Sequence, residues 1–308
     1  MPKTGYVSLI GRPNAGKSTL LNRIVGEKVA IVSDKPQTTR NRILAVKNYD
    51  TGQIVFVDTP GIHRPMHRLN VRMVDTAVET LREVDAVVLL FDASTRPGHG
   101  DEFVSKLLED IKTPAVLVLN KIDLVAKARL LPLIEKAQAW HDFAAIVPLS
   151  AATGDGVERL EKVLLDVIPE GDPAFPEDYL TDQPERTFVS ETVREKLLQH
   201  TRAELPFSTA VVVDEFNEEE RARLLRLYCT IYVETESQKP IVIGRGGEMI
   251  KRIGTEARQD LETFFGTKVF LDLRVKVNPN WRDNDRVLDD IGVPRSSTRP
   301  AKSSRNRR

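Results

Sequence analysis

Gly11-Arg12-Pro13-Asn14-Ala15-Gly16-Lys17-Ser18 is the stretch whose reading decides the fold. It fits G-x-x-x-x-G-K-[ST]. It lies between an apolar run, Gly5 to Ile10, that reads as a buried strand, and a segment, Thr19 to Val25, that reads as a helix. The pattern needs that context. Gly11 and Gly16 let main-chain N–H groups, Ala15 among them, turn inward around an anion. Lys17 reaches the β- and γ-phosphates of a nucleotide, and the Ser18 hydroxyl ligates Mg²⁺. The helix that opens at Ser18-Thr19 points its positive end at the same phosphates.

The rest of a nucleotide site follows in chain order. Asp58-Thr59-Pro60-Gly61 ends the apolar run Ile54 to Val57. A carboxylate at the end of a buried strand beside such a loop is placed to hold Mg²⁺ through water. The Gly61 N–H is then placed to meet the γ-phosphate, with a loop after it that moves when that phosphate is lost. Asn120-Lys121-Ile122-Asp123 ends a further buried run, Ala115 to Leu119. Guanine presents two donors that the Asp123 carboxylate accepts together; adenine presents no such pair and would leave the carboxylate unpaired. Asn120 bonds the base and ties the loops, and the Lys121 stem covers the base face. Ser150-Ala151-Ala152 closes the set, with small residues that let a main-chain N–H approach the guanine carbonyl.

The order GRPNAGKS, Thr-Thr, DTPG, NKID, SAA resembles the translation-factor-like class of P-loop GTPases. The resemblance makes Thr38-Thr39-Arg40 the switch I element. Thr39 is then the hydroxyl that completes the Mg²⁺ shell, with Thr38 the runner-up; spacing alone identifies neither. It also implies catalysis by Lys17, Thr39, Gly61 and Asn14. Ile62 stands where Ras-like proteins carry the glutamine that orients the attacking water. In GTPases lacking that glutamine, an asparagine at the place of Asn14 helps hold K⁺ against the phosphates, doing electrostatically what an arginine finger does elsewhere. Asn14 is equally ordinary turn chemistry. The cofactors implied are GTP/GDP, Mg²⁺ and K⁺.

Composition sets modest bounds. A length of 308 residues suits about two domains. Lys+Arg and Asp+Glu both number 45, which excludes a uniformly basic nucleic-acid coat but not a local patch. Cys229 is the single cysteine, so no intrachain disulfide forms and a cytoplasmic chain is expected. No signal peptide is read at the start. The run Ala86 to Phe91 is too short to span a bilayer. His63 and His67 have Pro65 between them and read as loop residues.

Over residues 1–168 strands alternate with helices. Strands are read near 5–10, 53–58, 85–91, 115–120 and 145–149, with helices over Asp101 to Ile111 and Leu130 to Phe143. That pattern predicts an α/β domain with a mostly parallel sheet covered on both faces and the site at the carboxyl ends of the strands. Ile43 to Tyr49 is expected as an antiparallel edge strand. Residues 169–185 form a boundary: Pro169 to Pro184 holds four prolines and five acids and reads as an extended, semi-rigid connector. Pro294 to Arg308 has six Arg/Lys and no acids and reads as a disordered basic tail.

The span 186–293 reads as a second, α+β domain. Arg186 to Leu205 is a predicted helix. Thr209 to Phe216 and Leu225 to Glu236 are a strand pair, and Lys268 to Val277 a last strand. Between them an apolar strand end, Val242-Ile243, meets Gly244-Arg245-Gly246-Gly247, then a helix with Ile250 and Ile253 inward and a further helix from Thr255 to Phe265. A glycine-framed turn at a helix start lets a nucleic-acid backbone come close; Arg245 and Lys251 neutralise phosphate. This resembles the GXXG loop of a type II KH domain, which clamps about four nucleotides.

The two halves together are identified with the Era family of GTPases, over roughly residues 4 to 293. The resemblance implies a small-ribosomal-subunit assembly factor. Its KH domain would bind single-stranded rRNA near the 3′ end, with GTP favouring the RNA-binding state and hydrolysis releasing the factor. The expected partners are that RNA and the small subunit, the expected state a monomer. Two other readings stand beside it. A tRNA-modifying or ribosome-associated GTPase of a neighbouring family should lack VIGRGG. A membrane-surface signalling GTPase would touch anionic lipid of the inner membrane face weakly through the basic tail, which lacks apolar anchors.

Overall fold

The apolar runs become strands. The computed structural model describes residues 1–35, 38–61, 67–96, 98–109, 111–201, 205, 208–219 and 223–293. Ile62 and the basic tail lie outside the described residues. Six strands, β1 Lys3–Gly11, β2 Ile43–Tyr49, β3 Gly52–Asp58, β4 Ala86–Asp92, β5 Ala115–Asn120 and β6 Ala145–Pro148, form one sheet in the order β2-β3-β1-β4-β5-β6. All neighbours pair parallel except β2, which runs antiparallel to β3 at the edge as expected. Every residue of β4 and β5 is buried, because helices cover both faces. Helix α1 (Lys17–Val25) packs on one face with Leu20, Leu21 and Ile24. Helices α2 (Arg68–Leu81), α3 (His99–Glu109) and α4 (Leu130–Gln138) pack on the other, and α5 (Val157–Val167) joins α1 through Leu160 and Leu164. Two of these helices, α2 and α5, are additions to the sequence reading, and α4 stops at Gln138 rather than Phe143.

The second half carries helix α6 (Glu185–His200), shorter than predicted, and a sheet β7 (Ala210–Glu219), β8 (Leu224–Val233), β9 (Lys268–Val277). β7 and β8 pair antiparallel; β9 adds to β8 in parallel. The α-β-β-α-α-β order holds, but its middle helices differ from the prediction. The apolar run before the glycines is no strand end: Lys239–Ile243 is a short helix, α7, with Pro240 in its first turn, where a missing N–H costs nothing. After the glycines a single helix, α8, runs from Glu248 to Phe265 without a break at Gly254. Gly254 has ordinary helical backbone, and a Cβ there would only reach van der Waals contact with Leu273 at 3.4 Å, so this glycine ends nothing. Val189, Val193 and Leu197 of α6 and Ile253, Ala257 and Leu261 of α8 bury against Leu227, Cys229 and Ile231.

The connector is extended but docked. Val46 N–H donates to Leu180 O at 2.9 Å and Thr181 Oγ1 to Leu44 O at 2.7 Å. Phe175 and Tyr179 stack at 4.7 Å and pack against Leu44, Val46 and Val55. Three apolar residues among the prolines therefore bind this segment to the β2 edge of the first sheet, which the edge strand would otherwise expose.

The halves touch through residues 28–32, residues 38–41 and α2. Trp281, Val287, Leu288 and Ile291 from the segment after β9, which includes α9 (Asp285–Asp290), bury with Leu69 and Met73 of α2. Arg72 bonds Asp285 at 2.6 Å and Asp289 at 2.9 Å. Lys28 meets Glu195 at 2.5 Å and Asp260 at 2.8 Å, and Lys196 meets Asp260 at 2.7 Å. Glu195 Oε1 also accepts the Val32 N–H at 2.9 Å. Arg194 donates to the Thr38 carbonyl, Arg40 to Thr209 O at 2.9 Å, and Asn41 to Ile291 O at 3.1 Å. Among the described residues no helix is long and apolar enough to cross a membrane.

Candidate nucleotide site and candidate RNA interface

β1 delivers its last residue, Gly11, into the turn that opens α1. A Cβ at Gly11 would meet Leu90 O at 2.6 Å, so the turn crosses β4 at a distance only glycine allows. Asn14 takes a left-handed conformation, φ 65°, and its Nδ2 donates to Asp34 O at 2.6 Å. Gly16, also left-handed at φ 99°, precedes the first residue of α1. Lys17 is buried and its ammonium donates to Gly11 O and Arg12 O, both at 3.3 Å. Arg12 points the other way, to Asp101 of α3 at 2.8 Å.

Ser18, Thr39 and Asp58 converge. Ser18 Oγ donates to Asp58 Oδ2 at 2.7 Å and lies 2.8 Å from Thr39 Oγ1, which is itself 3.3 Å from Asp58 Oδ2. The Thr38 hydroxyl donates to Lys35 O at 2.6 Å instead. Asp58 is fully buried and its Oδ1 has no hydrogen-bond partner. Burial pushes the Asp58 carboxyl up against the pull of Lys17 and of the Ser18 and Thr39 hydroxyls, and burial pushes Lys17 down against Asp58. An orphaned carboxylate oxygen beside two hydroxyls is a hard-oxygen donor set that fits Mg²⁺. Thr19, Val32 and Gly61 line the same cavity.

The residues expected to read the base gather at the ends of β5 and β6. Asn120 Nδ2 donates to Ala15 O at 2.8 Å. Its Oδ1 accepts from Lys121 N at 2.8 Å and Ala151 N at 2.9 Å. Asn120 thus ties three motifs together. Lys121 is left-handed, φ 65°, and its ammonium pairs with Asp92 at 2.7 Å. Ser150 is fully buried and its Oγ accepts from Thr153 N at 3.2 Å. Asp123 and Ala152 are exposed. Arg23 of α1 donates to Ala151 O at 3.3 Å and to Ala152 O.

Asp92 and Arg23 escaped the sequence reading. A signal for Asp92 existed: it ends the buried run Ala86 to Phe91 as Asp58 and Asn120 end theirs, and it lies in register with Asn120. Arg23 carries no such signal.

At the second location Gly244, φ 76°, leaves no room for a side chain, since a Cβ would meet Met249 Cβ at 2.6 Å. Gly246, φ 61°, and Gly247, φ 83°, are left-handed, and a Cβ on either would meet nothing within 4 Å. They present main chain to solvent at the N-terminus of α8. Arg245 and Lys251 are exposed beside them.

Two family descriptions match the chain: a 50S ribosome-binding GTPase over residues 6–121 and a KH domain over residues 204–282. It is 51% identical over 290 residues to the GTPase Era of Geotalea uraniireducens, covering 94% of this chain and 97% of that protein. It is 50% identical over 290 residues to GTPase Era of Geobacter sp. strain M21, with the same coverage. A crystal structure of Era with MgGDPNP and nucleotides 1506–1542 of 16S ribosomal RNA superposes with TM-score 0.92 at 41% identity, over 95% of this chain and 99% of that one. A variant of Aquifex aeolicus Era bound to GDP and AlF4⁻ superposes with TM-score 0.91, also at 41% identity, over 94% and 99%. With a G domain, a KH domain and relatives matched along nearly their whole length, this chain belongs to the Era family of GTPases.

Proposed function

We propose that the chain binds GTP with Mg²⁺ in the cradle of Gly11, Asn14, Ala15, Gly16, Lys17, Ser18 and Thr19, reads guanine with Asn120, Lys121, Asp123 and the Ser150-Ala151-Ala152 turn, and couples hydrolysis to single-stranded rRNA binding. Ser18, Thr39 and Asp58 would hold the Mg²⁺, which when bound neutralises charge developing on the phosphoryl oxygens. Lys17 gives up two carbonyl bonds to meet the phosphates. Gly61 offers its N–H at the γ-phosphate end. The Asn14–Asp34 contact brings a main-chain carbonyl of the switch I segment to the P-loop, and an amide and a carbonyl together are donors suited to K⁺. We assign the G domain to residues 1–168 and the RNA-binding half to 186–293, joined by the docked connector.

The observation that carries the RNA reading is the pair Gly246-Gly247, left-handed at the head of α8 with open space where a Cβ would stand on either. By likeness to the relative that holds 16S nucleotides 1506–1542, the ligand is the 3′ end of small-subunit rRNA, met on the small subunit during assembly. Gly244, Arg245, Gly246, Gly247 and Lys251 would contact its backbone. The test is fluorescence anisotropy on a 3′-end oligonucleotide and a scrambled control, with a GTP analogue and with GDP. An Asp side chain at Gly246 would enter open space, on a left-handed backbone that Asp tolerates better than most residues, and Gly246→Asp should weaken RNA binding at least roughly tenfold by repelling phosphate while GTP binding stays intact. Unchanged RNA affinity in that variant sinks the reading.

A further inference from the structure

Asp123, the residue proposed to accept the guanine donors, is exposed and lies on a single helical turn, Ile122–Leu124. The residue that opens the turn, Lys121, is left-handed at φ 65°. A residue with a Cβ keeps that conformation only where its surroundings hold it. Asn120 Oδ1 accepts the Lys121 N–H at 2.8 Å, and the Leu124 N–H closes the turn on Lys121 O at 3.0 Å. The far end of the lysine side chain is fixed by Asp92, whose Oδ2 accepts from the ammonium at 2.7 Å.

Asp92 is itself held rigidly. It ends β4 in register with Asn120, the residue before Lys121, and it is buried. Its Oδ1 accepts the Ser94 N–H at 3.0 Å and the Ser94 hydroxyl at 2.5 Å, so the carboxylate is gripped from both sides. Burial pushes this carboxyl up, but the bonds from Lys121 and Ser94 outweigh that and hold it below its ordinary value, so it is an anion at neutral pH. The pair with Lys121 is mostly withdrawn from water, and screening weakens it less than it weakens a surface pair. The Asp92 main-chain carbonyl accepts the Thr95 hydroxyl at 3.1 Å, and Arg12 of the phosphate loop donates to that same hydroxyl at 3.0 Å.

We propose that Asp92 is a positioning residue for guanine specificity. Through Lys121 it lays the lysine stem across the base face and keeps the turn that carries Asp123 aligned with the base edge. Its carboxylate oxygens are occupied by Lys121 and Ser94, so it acts through them and does not meet the nucleotide itself. The proposal rests on the guanine reading above and deepens it.

The test uses the full-length chain with Mg²⁺ and measures competition of GTP, ITP and inorganic tripolyphosphate against a fluorescent GDP. ITP lacks the 2-amino donor, so the ratio of GTP to ITP affinity reports the Asp123 contact. Tripolyphosphate has no base and reports the phosphate loop alone. Asp92→Asn keeps an oxygen for Ser94 and removes the charge that holds Lys121. It should weaken GTP roughly tenfold, shrink the GTP-to-ITP ratio and leave tripolyphosphate unchanged. In a Lys121→Met background, which keeps the stem and deletes the ammonium, Asp92→Asn should cost nothing further. Unchanged GTP affinity and an unchanged ratio in Asp92→Asn overturn the proposal. A loss shared equally by GTP, ITP and tripolyphosphate overturns it too, because Asp92 would then shape the phosphate loop through Thr95. Full additivity with Lys121→Met does the same, because Asp92 would then act by another route. Asp123→Asn run alongside separates the two ideas: if it keeps the wild-type ratio, the guanine reading itself has failed.

Discussion

Asn120 Nδ2 occupies the space a side chain on Gly16 would need: a Cβ there would meet it at 2.2 Å. The P-loop and the base-reading loop are therefore closed against each other across a glycine. Gly16→Ala must push Asn120 off Ala15 O and adopt a left-handed φ, which costs about 1–3 kcal/mol for the backbone alone. The expected result is a lowered denaturation midpoint without nucleotide and a loss of both GTP and GDP binding. Measuring both separates this from a catalytic defect, which would spare GDP.

Asp123 is the residue proposed to decide the base. Asp123→Asn should weaken GTP by about a hundredfold or more, since the guanine donors lose their shared acceptor, and should gain affinity for XTP, whose extra carbonyl accepts from the new amide. Competition binding with GTP and XTP reads this directly. Full GTP affinity with no gain for XTP would refute the assignment.

Hydrolysis should be faster in KCl than in NaCl at matched ionic strength, by something of the order of tenfold. Asn14→Ala should remove the difference, since it deletes the amide that reaches Asp34 O. Equal turnover in both salts, with Asn14→Ala silent, would leave Asn14 a turn residue.

Asp260 makes the inter-domain contact pH-dependent. Burial pushes its carboxyl up, but Lys196 and Lys28 outweigh that and hold it below its ordinary value of 3.8. A carboxyl depressed in the folded state contributes stability above its unfolded pKa and loses it as pH falls through the folded one. The Lys28 latch should therefore hold at neutral pH and weaken below about pH 4. Limited proteolysis of the contact between pH 6 and 3.5 should show this weakening, and Asp260→Asn should be more readily cut at neutral pH with a shallower rise on acidification, since Glu195 still holds Lys28.

Much of the first half is legible because its chemistry and its burial coincide. β4 and β5 are unbroken apolar runs ending in Asp92 and Asn120, and β2 ends at Tyr49 just before the Thr51-Gly52 turn. Helix α2 is not legible in the same way. Its N-cap, His67, makes no side-chain cap, and its buried residues include the polar Asn70, Arg72 and Thr80, of which Arg72 bonds Asp285 and Asp289 of the other half rather than packing in an apolar core. Helix α6 is blurred in a related way: beside its stripe of Val189, Val193 and Leu197, the charged Arg194, Glu195 and Lys196 are buried too, so apolar residues alone do not mark its buried side. The run Ile241-Val242-Ile243 is too short for period to tell strand from helix. Thr39 and Thr38 are adjacent and chemically alike, and only the folded course of residues 38–41 sends one hydroxyl to Asp58 and the other to Lys35 O.

Residues 32–35 and 38–41 serve two structures at once: Thr39 lies beside Ser18 and Asp58 at the proposed metal site, while Val32, Thr38, Arg40 and Asn41 grip the KH half. No ligand can then set the position of this segment privately. If nucleotide binding alters the grip and the grip alters RNA affinity by some factor, RNA must alter nucleotide affinity by that same factor. On the proposed function, rRNA would in that sense be an effector of the nucleotide site, and a weakened grip should uncouple the two affinities while leaving each site whole.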